Sequence, residues 1–119
     1  DWADGTLGSL SRLKAEQLVG GRGPVAQGRG AVDAAIDQTR DFLLGMRAAV
    51  EPVHARGGVL REAFQAAHAS LQPRYGNWPI FEHCLPFNVQ RLWDELDGID
   101  WPRIWTAERD REVWDQLQG

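Results

Sequence analysis

A length of 119 residues with 43% hydrophobic content suits a small domain with a modest core and excludes intrinsic disorder. A net charge of −4 and a pI near 5.3, with no run of Lys or Arg, argue against nucleic acid or an anionic membrane as partner. No apolar stretch approaches the roughly 20 residues a membrane span needs. Cys84 is the single cysteine, which leaves neither an intrachain disulfide nor a Cys-rich zinc site. The expectation is a soluble chain, cytoplasmic or periplasmic. Its opening, Asp1-Trp2-Ala3-Asp4-Gly5, lacks an initiator methionine and runs almost directly into a helical pattern, as a fragment of a longer protein would.

In chain order, Leu7, Leu10 and Leu13 recur at helical spacing behind Thr6, an expected N-cap, and predict a helix to about Gln17. Leu18-Val19 follows as a stub of strand. The segment Val19-Gly20-Gly21-Arg22-Gly23-Pro24 then frames one arginine with glycines, a pattern that brings a side chain to a site with its backbone pressed close. A guanidinium there can grip a carboxylate or phosphate in bidentate fashion, but it stays protonated and cannot ligate a metal. The plainer alternative is an exposed turn arginine paired with an Asp or Glu.

The strongest periodic signal runs from Val32 to Val53, where Val32, Ala35, Ile36, Phe42, Leu43, Met46, Ala49, Val50 and Val53 form one stripe. This predicts a long amphipathic helix, weakened near Pro52 and ended by Gly57-Gly58. Leu60, Ala63, Phe64, Ala67 and Leu71 predict a third helix stopped by Pro73. Val89, Leu92, Trp93 and Leu96 predict a fourth, closed by Gly98. Trp105, Val113, Trp114 and Leu117 suit a fifth, with Thr106 as N-cap and Glu108 near the positive helix end. No alternating run long enough for a sheet occurs, so the class is mainly α.

Three groups of residues carry candidate chemistry. Trp78, Trp93, Trp101, Trp105 and Trp114 crowd the C-terminal third; they form either a self-contained aromatic core or a surface that clamps a neighbouring domain or a second copy. His54 and His68 read as structural, since no H-x-x-x-H or H-x-H pair places two imidazoles on one metal. Glu82, His83 and Asn88 gather polar groups in an apolar stretch, and a network that locks the C-terminal third is the preferred account over a catalytic or ligand role. Cys84 beside His83 is read as a small buried hydrophobe, because catalytic pairs meet through the fold and not through adjacency.

Taken together, Ser9-Leu10-Ser11-Arg12-Leu13, Leu18 to Pro24, Arg74-Tyr75-Gly76-Asn77-Trp78-Pro79-Ile80-Phe81, the His83 to Val89 segment and Trp105 to Asp110 resemble the C-terminal part of metallo-β-lactamase-fold zinc hydrolases. The similar branch is that of quinoprotein-associated zinc metallohydrolases. The resemblance implies that residues 1–32 close an αββα sandwich, contributing its last helix and a strand stub, and that residues 33–119 are an appended helical, Trp-rich region. It also implies an ester, lactone, amide or thioester substrate. Zinc would be held by ligands upstream, in an H-x-H-x-D-H motif that this chain lacks, so no metal is expected on the chain alone and its partner is the N-terminal part of the same protein. Relatives commonly carry G-H-G-P where this chain reads Gly21-Arg22-Gly23-Pro24. With arginine in place of that histidine, the resemblance implies one zinc in the parent, with Gly21, Arg22 and Gly23 binding a substrate anion. An independent helical interaction or dimerisation module is the alternative.

Overall fold

A computed structural model describes residues 2–118, with only the backbone described at Trp2. The chain is mainly helical: five α-helices and one two-stranded sheet are present among the described residues. It divides between Gly45 and Met46 into two compact units, a division that falls within a continuous helix.

The first unit opens with a π-helical turn at Trp2–Thr6 and passes into α1 (Leu7–Arg12). Thr6 is itself helical, with φ −68° and ψ −50°, and its side chain makes no capping bond, so the expected cap is absent: the chain is already wound before it arrives. α1 also ends five residues earlier than the leucine spacing predicts, because Lys14 adopts a left-handed φ of 51°. Leu13 therefore leaves the apolar stripe and is 72% exposed, while Leu7 is buried.

Strands β1 (Gln17–Leu18) and β2 (Ala26–Gln27) pair antiparallel, Gln17 opposite Gln27 and Leu18 opposite Ala26. The expected stub thus lies one residue earlier and belongs to a hairpin whose second strand carries no recognisable pattern. Leu7, Val32 and Ile36 form the buried cluster of this unit, flanked by Leu10, Ala15, Leu18, Ala26 and Leu43.

Helix α2 (Arg29–Ala55) follows the long stripe as expected, burying Val32, Ile36, Phe42, Met46, Val50 and Val53. Pro52 lies inside it without ending it, although its ring removes the bond to the Ala48 carbonyl and crowds that carbonyl. The stop comes at Gly57, where φ is +75°: its N–H donates to the His54 carbonyl and the Gly58 N–H donates to the Val53 carbonyl at 2.9 Å. This doubly bonded glycine ending satisfies carbonyls that a helix otherwise leaves orphaned. A side chain at Gly58 would meet the Val53 carbonyl at 2.9 Å, so the tight exit needs glycine there as well.

The second unit is built on α3 (Leu60–Tyr75), which packs against both α4 (Phe81–Leu96) and α5 (Ala107–Gln118). Leu60, Ala63, Ala67, Leu71 and Tyr75 are the buried face of α3, and Phe81, Leu85, Val89 and Leu92 that of α4. Fully burying a leucine such as Leu71 or Leu85 contributes roughly 2 kcal/mol. That burial explains two departures from expectation. α3 runs past Pro73 to Tyr75, and α4 starts at Phe81 instead of near Val89, carrying Pro86 within its body. The contiguous buried stripes outweigh one missing N–H per helix. Ile80, which precedes α4, takes a left-handed φ of 57°, rare for a β-branched residue. α4 ends as α2 does, with Gly98 at φ +85° and the Ile99 N–H bonded to the Asp94 carbonyl. Thr106 caps α5 as expected, its hydroxyl accepting from the Arg109 N–H at 3.2 Å.

Candidate functional site

The glycine-framed arginine sits in the loop of residues 19–25, which joins the two short strands. Gly21, Arg22, Gly23 and Pro24 are all exposed, and Val19 is 74% exposed. A Cβ built at Gly21 or Gly23 meets nothing within 4 Å, so close approach inside this chain is not what those glycines serve. Gly23 is needed for its φ of +96°. Among the described residues no carboxylate pairs with Arg22. What remains is a guanidinium held out on a hairpin tip, beside exposed Val19 and Val25.

The residues Glu82, His83 and Asn88 lie on the first two turns of α4, and they do not form the network their spacing suggests. Glu82 and His83 are exposed and Asn88 is half-buried. Glu82 instead receives Nε2 of His68 from α3, at 3.0 and 3.1 Å to its two oxygens. His83 packs its ring on Phe87, 5.5 Å between centroids. Four residues of helix separate these neighbours on a face, so one turn of α4 is spent on an aromatic contact and not on a polar lock. Cys84 is half-buried and free. His54 at the end of α2 reaches Oδ1 of Asp97 at 2.6 Å and meets Trp93 edge-on at 4.9 Å. It ties two helix ends of the second unit together.

The polar lock of this unit lies elsewhere, at Asp94. Its side chain is 4% exposed and receives four donors: Nε2 of Gln90 at 2.8 Å, the Arg103 guanidinium through Nε at 3.0 Å and through a second short bond, and the Arg109 guanidinium at 3.1 Å. Burial by itself would raise the Asp94 pKa, but the hydrogen bonds from Arg103 and Gln90 and the charges of Arg103 and Arg109 outweigh it and hold the carboxyl below its ordinary value. The same contact, led by the hydrogen bond to Asp94, raises the Arg103 pKa. Arg91 adds bonds to the carbonyls of Ile99 and Asp100. The irregular segment between α4 and α5 is thus pinned by arginines onto α4. Sequence reasoning passed over Asp94 because a lone acid in an amphipathic helix looks like any solvated charge; two residues after Leu92 it falls about 200° round α4 from the apolar stripe, so periodicity carried no signal of its burial.

None of Trp78, Trp93, Trp101, Trp105 and Trp114 is buried. The core of the second unit is largely aliphatic, so a self-contained aromatic core is not what they build. Trp78 packs tilted against Tyr75 at 4.5 Å and Trp105 meets Phe87 edge-on at 4.5 Å, whereas Trp101 and Ile104 are 84% and 85% exposed and Trp114 is 62% exposed. A cavity of about 420 Å³ opens beside Phe87, Trp105 and Trp114, with Glu82, His83 and Asp110 among its lining.

Among the described residues no three of His, Cys, Asp and Glu are grouped to hold a metal, and Arg22 would repel a cation. No helix of the described residues is long and apolar enough to cross a membrane. In comparison with known proteins, no family model matches the chain, and no curated protein matches it.

Proposed function

We propose that the chain is the C-terminal portion of a zinc-dependent metallo-β-lactamase-fold hydrolase acting on an ester, lactone, amide or thioester bond, incomplete as an enzyme by itself. The observation that carries this reading is the exposed, unpaired Arg22 on its hairpin, read with the sequence resemblance. Among the described residues the first unit buries Leu7, Val32, Ile36 and Phe42 and leaves Leu13, Val19 and Val25 exposed. So small a core covers little apolar surface, as suits a piece of a larger sandwich. In this reading the zinc belongs to upstream residues, and Arg22 holds a substrate carboxylate or a developing oxyanion at the edge of the site.

The test is made on the parent protein. Metal analysis should give about one zinc per chain, and Arg22→His should raise this toward two by supplying a ligand in place of a fixed positive charge. Two zincs already present in the wild-type parent, or an upstream sequence without metal-ligand motifs, would overturn the assignment.

A second reading, an interaction or dimerisation module, is favoured by the outward-facing Trp101, Ile104 and Trp114 of the second unit. Large exposed apolar side chains close together in sequence suit a docking surface.

A further inference from the structure

The cavity beside α4 and α5 has a chemistry that neither reading uses. We propose that it binds a small organic cation of the quaternary-ammonium class. The rings of Phe87 and Trp105 lie 4.5 Å apart at an interplanar angle of 65°, so they meet as two adjoining walls. The His83 ring stands 5.5 Å from Phe87, tilted 57° to it, and Trp114 also lines the space. Aromatic faces carry the negative part of the ring quadrupole, and adjoining walls direct it into one corner.

Charge points the same way. The ionisable groups lining the cavity are Glu82, Asp110 and His83, with no Lys or Arg among them. Asp110 accepts the Trp105 indole N–H at 3.2 Å, which sets the carboxylate against the aromatic wall. Glu82 stands at the opposite helix, fixed by His68. Trp105 already takes one cation: the Arg109 guanidinium sits 5.7 Å from its ring centroid while Asp94 holds that arginine from the other side. The volume of about 420 Å³ admits a trimethylammonium head with a short tail. A quaternary ammonium suits these walls better than a primary amine, because it is weakly hydrated and needs carbon surface and a negative field instead of directed hydrogen bonds.

The experiment titrates the 119-residue chain with choline and with its uncharged isostere 3,3-dimethylbutan-1-ol, following the indole N–H signals of all tryptophans by NMR. Saturable choline binding is expected, about tenfold tighter than the isostere, with shifts centred on Trp105 and Trp114. The double variant Glu82→Gln/Asp110→Asn keeps both side-chain shapes and should weaken choline about fivefold or more without changing the isostere. Equal affinity for the two ligands, no saturation, or shifts centred on Trp93 would overturn the proposal. Because only residues of the second unit are involved, the outcome is independent of whether the parent is a hydrolase.

Discussion

Asp94 shows what a single residue decides in this protein. Two guanidiniums and an amide converge on one buried carboxylate, and removing its charge strands them. Asp94→Asn is expected to destabilise the chain by about 3 kcal/mol at pH 7, at the low end for a broken buried pair because Arg103 is partly exposed. Its pH dependence has a definite sign. A carboxyl whose folded pKa lies below the ordinary 3.8 contributes stability that is complete above that value and is lost as pH falls through the folded pKa. Chemical denaturation of wild type and variant between pH 7 and pH 2 should therefore show the gap holding down to about pH 4 and closing below it. A constant gap across that range would mean that Asp94 acts by packing and not by charge. Gln90 belongs to the same account: its Nε2 is spent on Asp94, and its Oε1 is buried with no partner among the described residues. That orphaned acceptor is the local cost of the lock.

At the scale of elements, helix ends separate the positions where local chemistry rules from those where it does not. Gly57 and Gly98 end α2 and α4 with the same pair of backbone bonds, and both stops are legible in the sequence because only glycine enters left-handed space without penalty. The two threonines proposed as caps diverge. Thr106 caps α5, whereas Thr6 is wound into the preceding turn and caps nothing. Thr106→Ala should accordingly cost about 1 kcal/mol. Thr6→Ala should stay within about 0.5 kcal/mol of wild type. Paired thermal melts read this difference directly, and equal losses would contradict the assignment of the two ends. The prolines tell the complementary story. Pro73 looks like a stop in a linear reading, yet it and Pro86 both lie inside helices, because Leu71, Tyr75, Leu85 and Val89 continue buried stripes across them. The sequence carries the stripe, but its weight against a proline depends on how completely the opposing helix covers it.

For the whole molecule, burial is shared unequally between the two units. Among the described residues the second unit contains most of the buried side chains and the Asp94 cluster, while the first buries Leu7, Val32, Ile36 and Phe42 and carries the exposed hairpin. The outward tryptophan segment belongs to the better-packed unit, so its exposure is not a symptom of loose structure. Replacing Trp101 and Ile104 together by serine should leave the melt within about 0.5 kcal/mol of wild type, since neither is buried. If the interaction reading holds, the same change should abolish concentration-dependent association on size exclusion. Association that survives the double change would locate the docking surface elsewhere.

The sequence by itself determined the helical class, the long α2, the Thr106 cap of α5 and the glycine stops, because each rests on periodicity or on a backbone preference confined to a few neighbouring residues. It also singled out Arg22, although the backbone there is open and not pressed close. Only the tertiary structure decided that Asp94, and not Glu82 with His83 and Asn88, is the buried polar centre. It alone brought Phe87, Trp105 and Asp110 around one cavity. The physical reason is common to both: a hydrogen bond or aromatic contact between residues of different elements depends on which faces meet, and the order of residues along one helix does not record its neighbour.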